Sequence, residues 1–503
     1  MCDNEKECTL CHKINKNKEE SRREYFMVFS SMIFVFFFLP ISLTAYFLCR
    51  TTKQRNISLL ISSLIFYAWG GPKFLLILLA MTAICWGGGI LIDRTDELKI
   101  RRMILIGTIV LMLAILGYFK YTGFFLGILQ GITGFPKAIP QIILPIGISF
   151  YTFQLLSYVV DVYREEVPAQ QYYWKLLLYS SLFHQCIAGP IVRYQHVADE
   201  INRRKIKMSE MEDGITRFMV GLAKKLILAD GLASLADKLA PLDAAALEST
   251  PALGVWMGIL FYMLQIYLDF SAYSDMAIGM GRMVGFHYHE NFNYPYVANS
   301  VTDFWRRWHI SLSTFFRDYV YIPLGGNRKG KVRQYFNLFI VWFLTGMWHG
   351  ASWNYIFWGL YFFCFLVLEK AFLLEKFKRV PKVFQHIYLL IAVYFGWILF
   401  RFTDLNTMGT ALQSMFGLNG NGFSSMQVMI VLKSNLFFII AAIIGSTPLP
   451  KMIAEKFALF CRRRFAIPHL LYVVELIFPL LMLLLSTMAM AGSSYHPFLY
   501  FQF

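Results

Sequence analysis

Charge is what this 503-residue chain has little of: 16% of its residues are charged and 57% are hydrophobic. A soluble globular domain carries about 25% charged residues, so an ordinary water-soluble enzyme is excluded. A disulfide framework is also lacking. Of the eight cysteines, Cys49, Cys85, Cys186 and Cys364 lie in apolar runs and read as small hydrophobes, while Cys461 sits beside three arginines. Glycine-rich phosphate loops, Gly-x-Ser-x-Gly elbows and His-Glu-x-x-His motifs are missing too. No internal repeat of the transporter kind stands out, and no long low-complexity linker divides the chain.

What the chain does have is long uncharged runs, at 26–49, 56–72, 74–92, 103–119, 138–160, 176–192, 249–268 and 350–368, with further ones near 384–400, 434–450 and 476–491. Each is near the roughly 17–25 residues a helix needs to cross the hydrocarbon core. The fold expected is an all-α polytopic integral membrane protein with about 11–13 membrane helices, re-entrant and interfacial ones included. The net charge of +16 resides in short loops between these runs, as in Arg203/Arg204/Lys205/Lys207 and Arg328/Lys329/Lys331/Arg333. Basic short loops mark the cytoplasmic face and anionic headgroups. A nucleic-acid partner is not expected; the lipid bilayer is.

Residues 1–26 form a polar tail, and 27–503 read as one membrane domain. Cys8-Thr9-Leu10-Cys11-His12 has the spacing of a c-type haem attachment site. Haem attachment needs an exported segment, and the following run is too long for a cleavable signal core and reads as an anchor. Neither haem nor a metal is expected. Without the tail, Arg50, Lys53 and Arg55 dominate the charge balance and place the N-terminus outside.

Ionisable groups at membrane depth are costly and therefore functional candidates. Two segments carry them. In 299–324, Ser300 and Asp303 have the spacing of a helix N-cap with an acidic third residue. A continuous helix from there sets Arg306, His309 and Ser313 on one face, with Asp303 positioned to pair with Arg306 or Arg307. In 344–354, His349 stands between uncharged runs. Gly346 and Gly350 allow either close backbone approach or a helix break around it. A neutral histidine can serve as a general base; the plainer alternatives are an interfacial anchor helix and a buried structural histidine. Asp269 and Asp275, with Ser271, Tyr273 and Ser274, follow an apolar run and could line the same cavity. His287, His289 and Glu290 have no clear fourth ligand, and a metal there is not expected.

These residues fall in blocks that together resemble the membrane-bound O-acyltransferase superfamily, in its alginate O-acetyltransferase-like branch. The blocks are LPIGISFYTFQ (144–154), AGPIVRY (188–194), FMVGLAKKLILAD (218–230), YLDFSAYSDMAIG (267–279), FWRRWHISLSTFFRDYVYIPLGGNRKG (304–330), LTGMWHGASWNYIFWG (344–359) and HPFLYFQF (496–503). The likeness starts at Met27, which suggests that translation begins there. It implies helices around a central funnel, in a bacterial cell membrane, with His349 catalytic and His309 a second active-site histidine. It further implies acetyl-CoA as a cytoplasmic acyl donor, an extracytoplasmic SGNH-type acetyltransferase partner, and a polysaccharide or wall-glycan acceptor. On that reading Arg306 and Arg307 lie near the donor's phosphates or carbonyl. Trp305, Trp308, Trp348 and Trp353 wall the site, and Ser313, Asn354, Asp269 and Asp275 line it. The alternatives are D-alanyl or other acyl transfer to a wall polymer, and transport of the polysaccharide itself.

Overall fold

A computed structural model describes residues 27–134, 139–140, 142–463, 468–492 and 498. The tail 1–26, with its Cys-x-x-Cys-His spacing, and all of the terminal block except Phe498 lie outside the described residues. The described residues form helices joined by turns and loops, with no strand among them.

Six described helices are long and apolar enough to cross a membrane: Pro72–Asp93, Leu98–Thr133, Ala252–Met283, Trp353–Phe377, Lys382–Arg401 and Leu471–Gly492. The pair Met426–Ser434 and Leu436–Gly445, bent by 59°, is apolar enough to form a broken span or a re-entrant loop. The expected 11–13 counted re-entrant and interfacial pieces, and those runs indeed form shorter or broken helices. The run 138–160, for example, becomes an irregular approach and then the helix Ile148–Tyr163. Large apolar side chains such as Ile106, Val110, Phe437 and Leu480 face outward, as a lipid-facing surface requires, because lipid, unlike water, imposes no penalty on exposed Leu or Ile.

Eight helices position the site. They are α1 (Leu98–Thr133), α2 (Met208–Ala223), α3 (Ala252–Met283), α4 (Val301–Arg307), α5 (Ile310–Phe316), α6 (Gly330–His349), α7 (Trp353–Leu368) and α8 (Lys382–Arg401). Helix α3 is the central post, with both faces buried. It ends where Gly285, at φ +82°, turns the chain back, and Phe286 N–H bonds the Gly281 carbonyl. The buried apolar side chains fall into two clusters. One is built largely from the N-terminal half and takes in Trp348; the other lies around α7 and α8 and takes in Trp305, Trp308 and Trp358.

Helices α6 and α7 meet at their glycines. A methyl group on Gly346 would run into the Tyr355 carbonyl, and one on Gly359 into the Trp342 carbonyl. Both possibilities read at Gly346 and Gly350 are therefore realised. Gly346 gives close approach, and α6 stops at His349, with Gly350 in extended conformation.

A third device fixes α2 against α3. A π-helical turn, Lys224–Ala229, follows α2 and aims Lys225 at two carboxylates. Its Nζ lies 2.7 Å from Asp230 and 2.7 Å from Asp269, with both Lys225 and Asp269 only 2% exposed. Farther along α3, Asp275 is clamped by Lys224 at 2.6 Å and by Arg217 at 2.9 Å. The structure thus sets Asp269 and Asp275 in inter-helix ion pairs.

Candidate functional site

The histidine helix begins as its sequence predicts and then departs from it. Ser300 caps α4 by accepting the Asp303 N–H at 3.0 Å. Glu369, fully buried at the end of α7, accepts the next two free N–H groups, from Val301 at 2.6 Å and Thr302 at 2.8 Å. A carboxylate at a helix N-terminus is favoured by the exposed N–H groups and the dipole, and this one ties α4 to the helix that follows His349.

The continuous helix expected through 316 does not form. It breaks at Trp308, and His309 takes a left-handed conformation at φ 43°, ψ 55°, before α5 begins. That conformation is costly for a residue with a Cβ and recurs at functional sites. Asn291, in a distant loop, holds it. The Asn291 carbonyl accepts the Ile310 N–H at 2.9 Å, and its side-chain Oδ1 accepts the Ser311 N–H at 3.2 Å and the Ser311 hydroxyl at 2.8 Å. The same oxygen lies 3.1 Å from His309 Nδ1. An atom that already accepts from a backbone N–H must be the amide oxygen, so Nδ1 is the donor. In the neutral ring this assigns the lone pair to Nε2.

The break moves side chains away from where one helical face would put them. Arg306 points to the exterior, and Arg307 pairs with Asp303 at 3.1 Å. Both therefore stand apart from the buried histidine pair. Ser313 bonds the Trp305 carbonyl at 3.3 Å. Trp353, 47% exposed, stacks on Phe357 and meets Phe124 edge-on at the periphery. Asn354 is buried and donates to the Leu399 carbonyl at 3.1 Å, fixing α7 to α8.

The remaining predicted residues do converge. His309 is 2% and His349 is 4% exposed. The Trp348 ring lies between them, 5.8 Å from the His309 centroid and 4.9 Å from that of His349. Phe270 of α3 packs edge-on against His309 at 4.7 Å, and Trp358 and Phe400 enclose His349 at 4.9 and 5.1 Å. Trp305 backs Trp358 at 5.4 Å, and Trp308 backs Trp397 at 4.8 Å. The two histidines therefore sit on the seam between the two apolar clusters, walled by aromatic rings that exclude water.

Sequence reading missed Asn291, Ser311, Glu369 and Lys120. Lys120, on α1, donates to the Trp348 carbonyl and, at 3.3 Å, to Ser149 Oγ. Only Lys120 gave a signal, a lone cation ending one apolar run and opening the next. A cleft lined by Arg164, Arg193, Asp318 and Tyr319 opens beyond α5. Burial alone would raise the Asp318 carboxyl, but hydrogen bonds from Arg317 and Arg193 outweigh it and hold it below the usual carboxylate range. His287 bonds Glu200 at 2.6 Å, and Glu290 pairs with Arg217.

Replacing Asn291 with Ala removes the acceptor that pins the left-handed turn. Transfer activity is expected to fall about 100-fold, the scale of a misplaced reacting group. The cost in stability is about 1–3 kcal/mol, from stranded buried donors. Assaying activity beside a thermal melt checks both.

Many apolar spans around a water-excluding pair of histidines define a multi-pass membrane enzyme. The family model for MBOAT, membrane-bound O-acyltransferase, matches residues 170–411. The chain is 38% identical to the probable alginate O-acetylase AlgI of Azotobacter vinelandii over 514 residues, 95% of this chain and 100% of that one. It is 33% identical to the peptidoglycan O-acetyltransferase of Helicobacter pylori, over 79% and 81% of the two chains. With the teichoic acid D-alanyltransferase of Bacillus subtilis it shares 29% identity, over 51% of this chain and 67% of that one. The protein belongs to the membrane-bound O-acyltransferase family: it is an acyltransferase of the bacterial membrane.

Proposed function

We propose that this enzyme moves acetyl from acetyl-CoA on the cytoplasmic side toward a polysaccharide or wall glycan outside, handing it to an extracytoplasmic SGNH-type acetyltransferase partner. The observation that carries this reading is the pair of buried histidines bridged by Trp348 in a chain whose longest likenesses are to O-acetyl transferring proteins. The D-alanyl reading has weaker support, since that likeness covers about half the chain.

The chemistry follows from the side chains present. His349 acts as general base, taking the proton of an acceptor hydroxyl as its oxygen attacks the thioester carbonyl. The tetrahedral intermediate collapses by breaking the carbon–sulfur bond, and the thiolate leaves and recovers the proton from His349. His309, with Nε2 as the lone-pair nitrogen, orients the donor or acceptor. The surrounding rings keep water from the thioester, which limits hydrolysis.

Donor choice is the test. Membranes holding this chain, the partner and the glycan should incorporate label from acetyl-CoA and not from a D-alanyl carrier-protein thioester. Label from the carrier protein alone would replace acetyl transfer with D-alanyl transfer.

A further inference from the structure

Lys120 lies in the interior of α1, one of the helices long and apolar enough to span the membrane. Its recorded hydrogen bonds go to neutral acceptors, the Trp348 carbonyl and Ser149 Oγ. A lysine at such depth without a carboxylate costs free energy and calls for a reason. The neighbouring Tyr121 hydroxyl donates to the Met347 carbonyl at 2.9 Å. Helix α1 thus closes two of the carbonyls that α6 leaves open at its end. Tyr121 shows that a neutral donor suffices for such a cap. Lys120 adds a contact that Tyr121 does not make: its Nζ stands 5.8 Å over the ring of Trp348, which packs on His349.

We infer that Lys120 is a positioning residue for acyl transfer: its amine, bonded to the Trp348 carbonyl and Ser149 Oγ, fixes the last turn of α6 and so the place of the His349 ring. This rests on the reading of His349 given above. A general base works only when it is held within hydrogen-bond reach of the proton it takes, and His349 is the last residue of α6, so a group that fixes this helix end fixes the base. The rings of Trp348, Trp358 and Phe400 pack His349 itself.

The test uses the full chain with Lys120→Met, Lys120→Gln and Lys120→Arg. In Lys120→Met, kcat for acetyl transfer should fall about 100-fold, with KM for acetyl-CoA within about threefold of the parent and the thermal midpoint unchanged or higher. Lys120→Arg and Lys120→Gln, which each keep a donor, should recover part of the rate lost in Lys120→Met. Amide hydrogen exchange over 347–351 should quicken at least about tenfold in Lys120→Met. A rate within threefold of the parent in Lys120→Met, or Gln and Arg variants both as slow as Lys120→Met, overturns the assignment to the donor. Unchanged exchange overturns the positioning assignment however the transfer assay falls. A parent chain that transfers nothing, yet shows the quickened exchange in Lys120→Met, overturns the functional reading and leaves the positional one standing.

Discussion

Replacing His349 with Ala should lower acetyl transfer by about 10²–10⁴-fold, the usual contribution of a positioned general base, which corresponds to about 3–5 kcal/mol of transition-state free energy. Expression and the thermal midpoint should stay near the parent's. His349 is packed by rings on three sides, and Ala there leaves no buried charge behind. His349→Gln keeps more of the volume and should be as inactive, because an amide cannot take up the proton. Labelled acetyl counted in the glycan or partner, beside a melt of each variant, checks both halves. Retained transfer in either variant removes His349 from the chemistry.

The largest effect on stability is expected at Lys225. Its ammonium is shared by Asp230 and Asp269, and all three are buried. Lys225→Met takes away the cation that the two carboxylates share, and breaking a buried ion pair by removing one partner costs about 3–5 kcal/mol. The thermal midpoint in detergent should drop by several degrees and the yield of folded protein should fall. Adding Asp269→Asn to Lys225→Met should recover part of the loss, because the stranded charge goes with it. A double variant no more stable than Lys225→Met would mean that the pair is not coupled.

Much of the architecture could be read from residue pattern. Long uncharged runs became helices, Ser300 capped α4, and His349 stood at a helix break flanked by glycines. The break at Trp308 could not be read. Nothing in Trp305-Arg306-Arg307-Trp308-His309 is a helix breaker, and the left-handed turn is imposed by Asn291 from a distant loop. Trp353 neighbours the histidine in sequence, yet it opens α7 on the face turned toward Phe124, a direction that sequence adjacency does not give. Asp269 and Asp275 were recognised as costly polar residues in an apolar helix, and their cost is met by cations just beyond α2, partners that periodicity within α3 does not reveal. Glu369 and Lys120 act on helix ends far away in sequence, so their partners appear only once the helices are packed.

The most direct measurement is transfer across a sealed membrane. Vesicles bearing this chain and its partner would be given labelled acetyl-CoA on the cytoplasmic face alone, with the glycan enclosed on the other side, for the parent and for His349→Ala. The predicted result is label in the enclosed glycan or partner for the parent and background label for His349→Ala. Equal label in both, or none in the parent with an active partner present, would contradict acyl transfer through the two-histidine site.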